Sequence, residues 1–404
     1  MTAAGFAKAG LSAARFGRLR AAMAGYATNG TVPGIVTAVR RRGETFVDAH
    51  GTLAVGGSVP MQRDAIFRLA SVSKPIVAAA AMTLVEECRL RLDDPIDPLI
   101  PELADRRVLA RLDGPLEDTV PAERPLSLRD LLTMRMGFGF VMTEGGDSPV
   151  EQALRERGLM TGPMMVQESP EDWLKRLGSM PLLHQPGTTW MYDTSTDVLG
   201  VLIARAAGQT LGAFLRERIF EPLGMKDTGF SVPPEQIHRL ATCYASDPET
   251  GQMAVWDEAA GGRWSRPPAF ESGRGGLVST ADDLLAFSTM MLNRGQYEGR
   301  RILARPTVQA MTTNQVNTDN TASSQFFLDD HRGWGLGMAV TIKRTSGSAV
   351  PGQFGWDGGY GTSWAADPAE DLTAILLTQR LWDSAGGPQV YHDFWPLVYQ
   401  AIDD

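Results

Sequence analysis

The spacing of apolar positions changes twice along this chain, and the changes outline its organisation. Residues 12–28 bring Phe16, Leu19, Met23 and Tyr26 roughly to one side of a helix, which Pro33-Gly34 ends. Ile35–Arg41 and Thr45–Ala49 follow as two strands around Arg42-Gly43, an antiparallel pair by proximity. A strongly apolar helix runs from Pro75 to Glu87, and a loop rich in Pro, Asp and Arg extends to about residue 125. Ser127 with Asp130 three residues on marks a helix start for Leu128–Met134. Residues 137–230 alternate short helical patterns with Gly and Pro breaks; Glu171–Leu177 and Thr196–Phe220 are the clearest helices. Beyond Pro233 the chain is irregular until Ala281–Leu292, a helix capped by Ser279 or Thr280. The period then shortens: Gly333–Lys343, Gly359–Ala366 and Leu372–Gln379 are β-type runs separated by Gly and Asp-Pro turns, and His392–Ile402 closes as a helix. Early strands, a helical middle and late strands predict an α+β fold. Residues 1–90 and 230–404 build one sheet domain, and 91–229 form a mainly helical insertion.

Composition narrows the class without naming a function. A chain of 404 residues with 43% hydrophobic and 21% charged content can bury a large core. A net charge of −9, spread along the sequence, gives no nucleic-acid footprint. Cys88 and Cys243 make no disulfide framework and have no metal-ligand spacing around them, so no metal is expected. The N-terminus lacks a continuous apolar signal core, and no stretch approaches the ~18 apolar residues of a membrane span. The default expectation is a cytoplasmic protein with no membrane partner.

Candidate chemistry starts at Ser71-Val72-Ser73-Lys74-Pro75. Proline is tolerated in a first helical turn, so a helix begins near Ser71, and residues three apart share a helix face. A serine hydroxyl is a weak nucleophile until a base takes its proton, and a neighbouring amine is one way to supply that base. A capping serine followed by a surface lysine is the alternative on these letters alone. The lysine census weighs against it: there are only five lysines, and only Lys74 has a serine three residues before it. Tyr192, in a Pro/Gly loop running into a helix, is the best proton-shuttle candidate, because a nearby ammonium favours its phenolate. Gly355–Trp364 is a second candidate segment, either a ligand-facing glycine loop or a tight hairpin turn. None of the five histidines stands in a triad-like context, and no nucleophile-elbow, Walker or dinucleotide pattern occurs.

In this order the pieces resemble the class C-like branch of the serine β-lactamase and penicillin-binding-protein superfamily. Leu92–Pro95, Leu126–Thr133, Phe220–Met225 and Gly275–Leu284 are similar to its blocks, so the likeness spans roughly residues 30 to 385. It implies an antiparallel sheet domain plus a helical domain with the active site between them. The first motif falls on Ser71 and Lys74 and the second on Tyr192. The second motif departs from the usual Tyr-x-Asn, reading Tyr192-Asp193-Thr194, and Met134-Arg135-Met136-Gly137 replaces the usual His-Thr-Ser-Gly. No Lys-Thr-Gly occurs. At its place stands Trp356-Asp357-Gly358, similar to the Trp-x-Gly of bacterial family VIII carboxylesterases. Loss of that lysine should cost an anionic substrate about 1.5–3 kcal/mol. Neutral esters lose nothing. The resemblance therefore implies a serine carboxylesterase for neutral, short-chain esters that needs no cofactor. Ser71, Lys74 and Tyr192 would be catalytic, and the N–H groups of Ser71 and Gly359 would form the oxyanion hole. Trp356, Asp357 and Gly358 would contact substrate. β-Lactam or D-amino-acid peptide hydrolysis, acyl transfer, and a catalytically silent binding protein are the rival expectations.

Overall fold

The computed structural model describes residues 2–404 apart from 142–147, 164, 248, 317–321, 329 and 385. Its centre is a seven-stranded sheet, antiparallel throughout, drawn from the two ends of the chain. The strands are β1 (Gly34–Arg41), β2 (Glu44–Gly51), β3 (Arg332–Trp334), β4 (Ala339–Thr341), β5 (Phe354–Gly358), β6 (Thr362–Asp367) and β7 (Leu372–Thr378), in the spatial order β3-β4-β5-β6-β7-β1-β2. The β1–β7 register, with Ala38 opposite Ile375, ties the N-terminal hairpin to the C-terminal meander.

Both faces of the sheet are covered, so β7 is buried at every position rather than alternating. Helices α1 (Ala3–Ala9), α2 (Ala13–Thr28) and α6 (Gln389–Tyr399) belong to the outer layer, where Phe16, Leu19 and Met23 meet Ile35, Val39, Leu376 and Phe394. On the inner face lie α3 (Ser73–Glu86) and α5 (Ala281–Leu292), in one continuous core with the helical segments of residues 128–223. Helix α3 is buried from Ser73 to Leu84; its Ala78–Ala81 run combines high helix propensity with the small side chains that close packing needs. Helix α4 (Thr194–Ala207) packs against α3 and brings the second motif to the first.

Several elements differ from the sequence-based expectation. The run Gly333–Lys343 is two strands, because Gly337 adopts φ +92° and turns the chain against Ala78 of α3. The helix expected over Thr196–Phe220 breaks at Gly208, φ +71°, and resumes at Leu211. The Gly355–Trp364 segment, expected as a glycine loop or a tight hairpin turn, is a hairpin in which Phe354–Gly358 is itself strand β5 and the turn is Gly359–Gly361. A short antiparallel pair, Arg107–Leu109 with Thr119–Pro121, lies in the segment read as loop, and Cys243–Ser246 pairs with Met253–Asp257 in the one read as irregular. Among the described residues no single helix is long and apolar enough to cross a membrane.

Candidate active site

Ser71 is held by a seam between two distant segments. Phe67-Arg68 pairs with Val278-Ser279, and the Leu69 N–H donates to the Leu277 carbonyl at 2.8 Å. The chain then turns sharply at Ala70, which takes φ +47° despite its Cβ, and passes through a tight turn, Ala70–Val72, into α3. A non-glycine residue in this region is strained by about 1 kcal/mol or more and needs its surroundings to hold it. Part of that support is Thr362 of β6, whose Oγ1 donates to the Leu69 carbonyl at 2.7 Å. The next strand approaches just as closely: a Cβ on Gly358 would collide with that carbonyl and with Thr362 Oγ1.

Lys74 lies one helical turn beyond Ser71 with its side chain wholly buried. Its Nζ donates to Ser71 Oγ at 2.8 Å, to Asp193 Oδ1 at 2.8 Å and to the Arg274 carbonyl at 2.7 Å, so all three ammonium protons are committed. Burial alone would strip the proton from Lys74. The Asp193 carboxylate, helped by Tyr192, outweighs burial and holds the lysine above its ordinary range. Asp193 is buried as well, which disfavours its charge, but Lys74 and Arg274 together bring its carboxyl below the usual range. Arg274 reaches Asp193 Oδ2 at 2.7 Å through its guanidinium and Asp197 Oδ2 at 3.0 Å through Nε. Lys74 and Arg274 are thus set against the carboxyl groups of Asp193 and Asp197 with little exposure to solvent, and burial pushes the Asp197 carboxyl above its ordinary range.

The Tyr192 ring stands over Lys74, with Nζ 4.6 Å from its centroid. Its Oη is hydrogen-bonded to Ser71 and accepts from Trp356 Nε1 at 2.6 Å. Burial raises the Tyr192 phenol, Lys74 pulls it down and Asp193 pushes it back up, leaving it above its ordinary value. Trp190, Trp334, Trp356 and Phe327 pack around the ring, which fixes its position.

Strand β5 presents the third motif. It pairs with β6 throughout, but β4 follows it only from Phe354 to Gly355, so the edge from Trp356 to Gly358 is unpaired on that side. Alternation sends Trp356 and Asp357 to opposite faces. Trp356 joins Tyr192. Asp357 turns away: it accepts from Ser363 Oγ at 2.6 Å, Arg332 at 3.0 Å and Tyr391 Oη at 3.1 Å. Gly358 packs on the nucleophile turn, while a Cβ on Gly359 would meet nothing within 4 Å. Ser71, Tyr192, Trp356, Asp357 and Gly359 all line one cleft of about 800 Å³. The aromatic side chains of Phe140, Phe326, Phe327, Tyr360 and Trp382 supply much of its apolar wall.

The family model described as Beta-lactamase matches residues 19–387. The chain belongs to the beta-lactamase family. Among its relatives is the Burkholderia gladioli esterase EstB, 32% identical over 375 residues that cover 88% of each chain. Two solved structures share the fold across almost all of this chain. EstCE1, a hydrolase with promiscuous acyltransferase activity, superposes with a TM-score of 0.76 at 24% identity, covering 97% of this chain and 99% of its own. Simvastatin synthase LovD from Aspergillus terreus gives 0.79 at 22%, covering 96% and 98%.

Helix spacing and the lysine census point to Ser71 and Lys74, the Pro/Gly loop to Tyr192 and the family resemblance to Trp356, and these four side chains come together. Asp357 lines the same cleft but is bonded to Ser363, Arg332 and Tyr391 and not to these four. Asp193, Arg274, Asp197 and Met134 were missed. Asp193 lies inside the Tyr192-Asp193-Thr194 motif, and a carboxylate beside a tyrosine that must meet a lysine is the available signal. Arg274, one residue before the matched Gly275–Leu284 block, carried no such signal.

Proposed function

We propose that this protein is a serine hydrolase that cleaves carboxylic esters through an acyl-enzyme on Ser71. The observation that carries the reading is Ser71 Oγ in contact with both Lys74 and Tyr192 at the wall of a large apolar cleft. Ser71 Oγ forms a bond to the ester carbonyl carbon as its proton passes to the Lys74–Tyr192 pair, and the carbonyl electrons move onto oxygen. The N–H groups of Ser71 and Gly359 serve as donors to that oxyanion. Collapse expels the alcohol, which takes the proton back from the pair. Water then attacks the acyl carbon, the bond to Ser71 breaks, and the serine regains its proton.

A neutral substrate fits because the arginines on the cleft wall are already matched, Arg274 by Asp193 and Arg332 by Asp357. The position where penicillin-recognising relatives carry lysine is an indole. A cleft of about 800 Å³ has room for a group much larger than acetyl. Acyl transfer to an alcohol is the second reading, favoured by the aromatic lining, which gives an alcohol a place to bind against water.

The test is hydrolysis of p-nitrophenyl butyrate together with labelling by a p-nitrophenyl alkylphosphonate. Ser71→Ala should lose at least about a thousandfold in kcat while keeping its Tm, with the label recovered on the Ser71 peptide of the wild type. Full activity in a folded Ser71→Ala protein would refute the reading. Adding ethanol or butanol to the same assay and measuring transesterified product separates transfer from hydrolysis.

A further inference from the structure

We infer that Asp193 is a positioning residue that fixes the proton on Lys74 rather than on Tyr192, so that Ser71 delivers its proton to the Tyr192 phenolate. The inference rests on the acyl-enzyme reading of Ser71 and goes beyond it by assigning a role to a residue outside the Ser71–Lys74–Tyr192 set.

Two features of Asp193 support it, its backbone and its carboxylate. Its backbone sits at φ +93°, ψ −68°, a conformation that is costly for a residue with a side chain and that persists only where the surroundings enforce it. The enforcement is visible: the Asp193 N–H donates to Met134 Sδ at 3.3 Å, and Met134 is itself held at φ +56°. Each carboxylate oxygen is then spent on a different cation, Oδ1 on Lys74 and Oδ2 on Arg274. Arg274 also contributes its carbonyl to Lys74, so the guanidinium and the ammonium are clamped on the same carboxylate. An amide at this point would orient an amine equally well, but it would not choose between ammonium and amine. A carboxylate does choose.

The charged and titratable groups facing Lys74 are Tyr192 and Asp193 beside the start of α4, and Arg274 from the 272–277 segment; Asp197 of α4 lies behind Arg274, within reach of Asp193. In the resting site Lys74 is an ammonium and Tyr192 a phenol, both held above their ordinary values. The reactive form has lost one proton from this coupled pair. With Asp193 in place the remaining proton stays on Lys74 and the negative charge falls on Tyr192 Oη, which is hydrogen-bonded to Ser71 and Trp356. Activity must then rise with pH as the pair deprotonates.

The experiment measures the rate of alkylphosphonate labelling of Ser71 against pH in wild type and in Asp193→Asn, with thermal melts as a folding control. In the variant the acid limb should move down by about one unit or more, because the ammonium has lost its partner. The plateau should fall at least about tenfold, because the remaining proton no longer favours Lys74. A purely structural role would lower the plateau and leave the limb in place, and that result overturns the inference while the acyl-enzyme reading stands. Absence of labelling at every pH in wild type overturns both. If Asp193→Asn does not fold, wild type alone decides: labelling already at its plateau at about pH 6 shows that the pair is not held protonated, and the inference fails.

Discussion

The indole of Trp356 donates its only N–H to Tyr192 Oη at 2.6 Å, and its ring lies 4.8 Å from that of Trp334 at 87°. Its place in the third motif therefore does two things. It withholds a fixed cation from the cleft, and it stabilises negative charge on the tyrosine oxygen. Trp356→Phe separates them, because phenylalanine keeps an aromatic ring against Tyr192 and removes the donor. Loss of a hydrogen bond to a charged acceptor costs about 1.5–3 kcal/mol, so kcat for a p-nitrophenyl ester should fall about ten- to a hundredfold with little change in KM. The phenolate loses a stabilising donor, so the acid limb of the pH–rate profile should move to higher pH, opposite in sign to Asp193→Asn. Measuring kcat and KM separately across pH in the variant checks both statements. An unshifted limb would mean that the indole acts through packing alone.

At the scale of elements, the site depends on how closely β5 lies against the turn that carries Ser71. Gly358 has no room for a side chain there, since a Cβ would meet the Leu69 carbonyl and Thr362 Oγ1. Gly358→Ala must displace the strand or the turn, and with it the neighbouring Gly359 N–H that the proposed mechanism uses as an oxyanion donor. A displacement approaching 1 Å is enough for about a hundredfold loss in kcat. The cost in stability should be smaller, about 1–3 kcal/mol, because only one edge of the sheet has to give. Steady-state kinetics beside a thermal melt will tell these apart; an active Gly358→Ala enzyme would show that the strand need not sit this close. The same strand marks the limit of what the sequence disclosed. Helices α2 and α5 were legible because their apolar positions repeat and Thr280 caps α5. Strand β5 was not, because Gly355, Gly358 and Gly359 lower its β-propensity and it owes its extended form to pairing with β6 and contact with the Ser71 turn. Candidate catalytic residues at motif spacing can be found one by one. The Asp193–Arg274 pair cannot, because its partners lie 81 positions apart and nothing local marks their meeting.

Across the whole molecule the Ser71 centre is a convergence of four segments, the Ser71 turn, the loop entering α4, the stretch around Arg274 and the edge of β5, at the wall of a wider cleft. Among the described residues its arginines and carboxylates are matched to one another, Arg274 with Asp193 and Arg332 with Asp357. The chain's net charge of −9 adds a weak long-range repulsion for anions. Two effects therefore disfavour a carboxylate-bearing β-lactam: no uncommitted cation at the third motif, and a mildly negative field. Only the first survives high salt, because the Debye length shrinks to ~3 Å at 1 M. The kcat/KM for p-nitrophenyl butyrate should exceed that for nitrocefin by at least about a hundredfold, the scale of one lost charge-assisted contact plus weaker orientation. Raising the salt from about 0.05 to 0.5 M should leave most of that ratio intact. Comparable efficiency on both substrates would place a carboxylate-binding group in the cleft that the matched arginines do not supply. A ratio that collapses with salt would assign the discrimination to net charge instead of to Trp356. Persistence of the ratio, with Trp356→Phe depressing both substrates alike, would locate selectivity in the missing cation and leave the indole the task of supporting charge on Tyr192 Oη.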